Sequence, residues 1–386
     1  MDATRFDALL RHVGHARSRR AFLAAALAGF AVSPAVTAKH KTKPTKTRKR
    51  PKPCAGPFSD VAGLQDLVDG ARAKSTVRLC AGTFTNTGVT IRKNLTLVGV
   101  GKDQTVLQGR WPAPGSALTV AAGAKVTLKS LSVASNYNGA DKAVSHGGGI
   151  LNQGRLTVTG CAVSGNYAQD GGGLYNDEQA TLTLNDAEVF DNNAAAELGW
   201  GGGIFNNHGT LTVNDAVVTG NEGFDGGGIG AMFGTTILNG TKITGNRATW
   251  GGGIETLGES GRLEVRNGSV IGGNGAAGNS AFSGGGLYNG TITVFEKGTL
   301  VTGNSLTHSD GRRGGGILSD GGVVTLPDTT IVTGNLPTNC GGPDGGDSIP
   351  LIANCVDACQ PYGAFCRTAA ACCDGYPCTA NRCRLP

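Results

Sequence analysis

Thr219-Gly220-Asn221, followed seven residues on by Gly226-Gly227-Gly228-Ile229, recurs along the chain. Gly-Gly-Gly with Ile or Leu after it occurs seven times, starting at Gly147, Gly171, Gly201, Gly226, Gly251, Gly284 and Gly314. The intervals are 24, 30, 25, 25, 33 and 30 residues. A motif repeated at such a period marks a solenoid, because each repeat buries its apolar face only against its neighbours.

Within one repeat there are three short apolar segments and no helical period. Around Ile204 they are Ile204-Phe205, Leu211-Thr212-Val213 and Val217-Val218. Period-two alternation, β-branched residues and Gly/Asn breaks predict strands. Three short strands in about 25 residues make one coil of a parallel β-helix, with coils about 4.8 Å apart. Aligned repeats give an inward column, Ile150, Leu174, Ile204, Ile229, Ile254, Leu287 and Ile317. A second is Val163, Val189, Val218, Ile243, Ile271, Val301 and Val332. A small column, Cys161, Ala187, Ala216, Thr241, Ser269, Thr299 and Thr330, runs two residues before it. The glycines supply bends with φ > 0 and close backbone approach. Asn166, Asn192, Asn221, Asn246, Asn274, Asn304 and Asn335 form a further column, expected at left-handed turns.

These repeats resemble the right-handed parallel β-helix repeat of the pectate-lyase-like superfamily, and most of all those of polymorphic outer-membrane proteins. The resemblance covers roughly residues 58 to 340. It implies an all-β, right-handed parallel β-helix. That fold hosts lyases, hydrolases, epimerases and adhesins alike, so it does not choose a function.

The 65 glycines among 386 residues suit a β-solenoid. Residues 1–38 resemble a twin-arginine export signal: Ser18-Arg19-Arg20-Ala21-Phe22-Leu23, a short apolar run to Val32, and a cleavage site at Val36-Thr37-Ala38. An ordinary signal or an uncleaved anchor is the alternative. Residues 39–53 form a basic linker, either a spacer or a contact for anionic envelope polymer. Beyond residue 53 the chain holds 21 basic and 26 acidic residues. The overall charge of +6 therefore does not argue for nucleic acid, and no recognition helix or aromatic–basic module is present.

The β-helix is expected over 54–339, with about ten coils and a rod on the order of 45–50 Å. Val61, Leu64, Leu67 and Val68 have helical spacing and predict a helix over 61–73. Such a helix would cover the open edge of the first coil. Helix and following strand together resemble the N-terminal cap of pectin-degrading β-helices. Cys54 and Cys80 bracket the helix and are placed to staple it.

Residues 340–386 form a small disulfide-rich C-terminal tail. Cys340 and Cys355 would close a loop at the last coil. Cys359, Cys366, Cys372, Cys373, Cys378 and Cys383 allow fifteen pairings. Residues 359–383 resemble an inhibitor cystine knot, which implies Cys359–Cys373, Cys366–Cys378 and Cys372–Cys383. Zinc is the other use of clustered cysteines, but the tail has no histidine. Cys161 is left over as a buried thiol. Disulfides and an export signal point to an extracellular or envelope location in a bacterium, with no membrane span in the mature form. No cofactor or metal site is expected.

Length varies mostly between the Asn column and the next Gly-Gly-Gly, with gaps of 5, 9, 5, 5, 10 and 10 residues. Insertions confined to one face often mark a binding face, here open between 137–146 and 275–283. The residues just before the glycines are His146, Asp170, Trp200, Asp225, Trp250, Ser283 and Arg313. Trp200 and Trp250 would lie two coils apart, about 9–10 Å, with aspartates around them. Indole faces and interleaved carboxylates suit sugar rings and hydroxyls. The competing reading is that the tryptophans merely cover loops or an edge. Asp170 and Asp225, also two coils apart, are weak catalytic candidates at the upper range for an inverting pair.

Three functions follow. The preferred one is an exported, non-catalytic β-helix that binds a polysaccharide or cell-envelope glycan through Asp170, Trp200, Asp225 and Trp250. The second is a polysaccharide lyase, hydrolase or epimerase of the same fold, for which no recognisable family motif is present. The third is a scaffold carrying a knottin-like inhibitor.

Overall fold

The computed structural model describes residues 53–58, 61–109, 115–135, 144–194, 198–273, 277–307, 314–327, 330–336, 340–341, 378–379 and 382–383. The export signal at 1–38, nearly all of the basic linker, Asn274, Arg313 and the cysteines from 355 to 373 lie outside them.

The described residues form an all-β parallel solenoid with one helix. Three parallel sheets of ten strands each run along it, and every coil contributes one strand to each. The register matches both aliphatic columns. Ile204 pairs with Ile229, Ile229 with Ile254 and Ile254 with Leu287. Val189 pairs with Val218, and Val218 with Ile243. All are fully buried, as are Ala187, Ala216, Thr241, Ser269 and Thr299 of the small column. Cys161 is the free, buried thiol of that column, and burial pushes its pKa up.

A fourth, shorter strand set was not expected. Arg247–Trp250 and Ser280–Ser283 lie just before the glycines and pair in parallel. The bend that follows needs glycine for two separate reasons. Gly226 has φ of 64°. Gly227 sits where a Cβ would lie 2.3 Å from the Arg247 carbonyl oxygen and 2.6 Å from that of Gly252. The first glycine turns the chain, and the second lets the next coil approach.

The asparagine column needs two corrections. Its fifth member is Asn279, not Asn274. Asn246 Nδ2 donates to Asn279 Oδ1 at 2.9 Å, and Asn279 Nδ2 to Asn304 Oδ1 at 2.9 Å. The residue at positive φ is also not the asparagine but the one before it, as at Gly220 (65°) and Asp191 (53°). The asparagines are buried instead. From Asn192 on, each side-chain oxygen accepts from the backbone N–H and the side-chain amide of the preceding asparagine, as Asn246 does from Asn221.

The first correction moves an insertion. From Asn279 to Gly284 is five residues, so the extra length of that coil lies before the asparagine, around 273–278. Ser280–Ser283, expected in a loop, is a strand of the outer face.

Helix α1 (Val61–Gly70) ends three residues earlier than its spacing predicts, at Gly70. Leu64 and Val68 are fully buried over the first coil. Gln65 hydrogen-bonds the edge strand Val89–Ile91 at both groups of Thr90. The Thr90 N–H donates to Oε1 at 2.9 Å, and Nε2 donates to the Thr90 carbonyl at 3.1 Å. A side chain thus occupies an edge that would otherwise template another strand. Cys54–Cys80 closes the same end as a disulfide. Cys340, in a strand beside Ile317, is also disulfide-bonded. Cys378–Thr379 and Arg382–Cys383 form a short antiparallel pair. Among the described residues no helix is long and apolar enough to cross a membrane.

Candidate functional site

The residues before the glycines form one continuous column. Asp170 pairs with His146, Trp200 with Asp225, Asp225 with Trp250, and Trp250 with Ser283. Asp225 therefore sits between the two tryptophans, one coil from each. The Trp200 N–H donates to Asp170 Oδ1 at 3.0 Å, which places Asp170 on the other side of Trp200.

This column does not simply face solvent. The chain doubles back at each Gly-Gly-Gly, so a second column comes to lie against it. That column is the residue after each inward Ile or Leu: Tyr175, Phe205, Gly230, Glu255 and Tyr288, in register. His146 lies on Tyr175 with ring centroids 4.5 Å apart, and Tyr175 meets Phe205 edge-on at 5.4 Å. Trp200 lies on Phe205 at 5.6 Å. Trp250 meets Tyr288 at 5.5 Å and Phe282 at 6.3 Å, both edge-on. Trp200 and Trp250 are half-buried, while Asp225 and Ser283 are buried.

The aromatic stripe breaks once, at Gly230 and Glu255. There Asp225 takes the place of an aromatic and hydrogen-bonds Glu255, whose side chain is 3% exposed. Two carboxyl groups in contact hold a proton between them, because burial and mutual repulsion both disfavour two charges. Burial pushes Asp225 up to about 6; the Glu255 bond opposes this and the Asp170 charge adds to it. Burial, then the Asp225 charge and bond, raise Glu255 well above the carboxylate range against the Gly226 N–H. Asp170 is raised by burial, against the Trp200 N–H and His146, whose Nδ1 lies 3.3 Å from Oδ2. Among the described residues, Glu255 Oε2 and Ser283 Oγ, both buried, have no hydrogen-bond partner.

The sequence names Asp170, Trp200, Asp225 and Trp250 as candidates, and the fold places all four in one column. Glu255 was not among them. The signal was present: the position after the inward aliphatic is Tyr, Phe, Gly, Glu and Tyr, and an acid among rings in one column is anomalous. Among the described residues no group of three His, Cys, Asp or Glu is placed to hold a metal.

The acid pair has a consequence for stability. The ordinary value for Asp225 is 3.8, so between 3.8 and about 6 the folded chain binds protons that the unfolded chain releases. The pair's contribution is thus full below 3.8 and is lost as pH rises through about 6, with Glu255 extending the loss further. Glu255→Gln keeps the shape and removes the coupling. Its melting temperature is expected to overtake the wild type as pH rises from about 4 to about 8. A wild-type minus variant difference independent of pH would contradict the shared proton.

No protein-family model and no curated protein matches the chain. Among solved structures it is similar to a pectin methylesterase from Erwinia chrysanthemi, at 11% identity and a TM-score of 0.34, over 74% of this chain and 86% of that one. It is similar also to the A-module of a mannuronan C-5 epimerase from Azotobacter vinelandii (15% identity, TM-score 0.36, 74% and 94% of the two chains). A third is an alginate lyase from Paenibacillus (14% identity, TM-score 0.28, 72% and 89%). At these identities and scores none of their chemistry transfers to this chain.

Proposed function

We propose that the protein is an exported β-solenoid that binds an extended glycan along the face carrying Asp170, Trp200, Asp225 and Trp250. The observation that carries this reading is the placement of Asp225 between two half-exposed indoles in one strand-paired column. Indole faces offer sugar rings a large apolar contact with little rotamer entropy to lose, and the carboxylates accept from hydroxyls. Coil spacing gives the column a repeat that a polymer of similar residue length can follow. The Cys54–Cys80 disulfide supports an oxidising destination outside the cytoplasm. The twin-arginine-like leader and cystine-knot-like tail belong to this same proposal.

Trp200→Ala with Trp250→Ala is expected to weaken glycan binding by about 1–3 kcal/mol, as alanine does at other aromatic stacking platforms. Both rings also contact Phe205, Phe282 or Tyr288, so the double variant should melt lower than the wild type. Calorimetry below the lowered melting temperature separates the two effects. Equal affinity in the double variant would sink the proposal.

A second reading has a specific observation behind it. An acid held near 6 is suited to protonate a leaving group. Asp170 and Asp225 are two coils apart, on the order of 9–10 Å between strands and near the inverting range. In this hydrolase Asp225 gives its proton to the glycosidic oxygen and Asp170 activates water. Release of reducing ends that is abolished in Asp225→Asn would support it over binding alone.

A further inference from the structure

Among the described residues, the charged groups around Trp200 and Trp250 in these two columns are carboxyls. Asp170, Asp225 and Glu255 all meet the binding face, and among the described residues no lysine or arginine bonds any of the three. The one base in contact is His146, which sits on Asp170 at the rim. A uronate polymer laid across Trp200 and Trp250 would bring its carboxylates against these three.

Two further observations point to a donor-rich guest. Glu255 is 3% exposed, its carboxyl touches Asp225 between the indoles, and Oε2 has no partner. Ser283 is fully buried and likewise unpartnered at Oγ; it is the strand neighbour of Trp250 in the same column. Unmet buried acceptors are costly and are satisfied by a ligand that brings N–H groups. An ammonium brings three such donors with a positive charge, and indole faces attract that charge more strongly than other side-chain rings do.

Resting on the glycan-binding reading of this face, we infer that its ligand is an amino-sugar polymer with free amines, bound with an ammonium over Asp225 between Trp200 and Trp250. Asp170 takes the next amine along the rod, and Glu255 beneath holds the proton that leaves Asp225 free to carry the charge. The chain is then a receptor for cationic glycan and discriminates against acidic glycan.

The test uses the full chain and three oligomers of equal length: glucosamine, N-acetylglucosamine and galacturonate. Affinities are measured by calorimetry at a pH where the amines are charged. The glucosamine oligomer is expected to bind about tenfold tighter than the acetylated one, with galacturonate weakest. Asp170→Asn with Asp225→Asn and Glu255→Gln should bring glucosamine and N-acetylglucosamine to similar affinities, because shape is kept and charge removed. Trp200→Ala with Trp250→Ala should weaken both. An unchanged preference in the carboxamide variant would show attraction by the acidic surface at large and would overturn the inference. Equal or tighter binding of acetylated or acidic oligomer that still depends on the tryptophans would overturn it too, yet leave the glycan-binding reading standing. Binding of none of the three overturns both.

Discussion

Ile229→Asp is expected to cost about 5 kcal/mol or more, enough to unfold an ordinary domain. Ile229 is fully buried and stacked in register between Ile204 and Ile254. An aspartate there loses the aliphatic contacts, and its carboxyl faces a column with no polar partner. A globule can sometimes rotate such a group to the surface. A strand with neighbours above and below cannot, because a one-residue slip would turn its whole face outward. The break also falls mid-rod, so coils on either side lose their shared contacts. Urea unfolding with Ile229→Val as control, expected to cost about 0.5–1.5 kcal/mol, measures the difference. An Asp variant that unfolds at the wild-type midpoint would remove the stacked core from the description.

Asn246→Ala is expected to cost about 3–5 kcal/mol although it removes no apolar contact of note. Asn246 Oδ1 accepts from the Asn221 backbone N–H at 3.0 Å and from Asn221 Nδ2 at 2.9 Å. Its Nδ2 donates to the Val218 carbonyl at 3.0 Å and to Asn279 Oδ1 at 2.9 Å. Alanine strands the Asn221 backbone N–H and one N–H of its amide, and it takes one donor each from the Val218 carbonyl and from Asn279 Oδ1, which keeps the backbone N–H of residue 246; each group left without water or partner costs roughly 1–3 kcal/mol. Asn166→Ala is the comparison. Asn166 Oδ1 accepts from no residue among those described, so its loss strands acceptors only and should cost clearly less. Equal destabilisation at the two positions would mean that the ladder bonds contribute little.

The coil was legible because its punctuation is local. Each Gly-Gly-Gly marks a bend that no side chain tolerates, and alternation between bends assigns inward residues without tertiary knowledge. The asparagine column shows where that method stops. Gly273-Asn274 and Gly278-Asn279 offer the same dipeptide twice in one coil. Only pairing with Asn246 below and Asn304 above selects the second. Glu255 was lost for a related reason. In one coil it is an outward residue and reads as surface. It is buried by the column that folds over it across the bend, a contact between separate segments that alternation does not encode.

The asparagine ladder has a direction. From Asn166 to Asn304 each side-chain amide donates to the asparagine of the next coil, and from Asn192 to Asn335 each accepts from the one before. Seven amide dipoles therefore align head to tail along the rod axis, each polarising the next. Among the described residues the row has a negative pole at Asn166, whose oxygen is unpartnered, and a positive pole toward Asn335. The β-solenoid thus carries along its core an electrical polarity of the kind otherwise associated with α-helices, made from side chains instead of peptide groups.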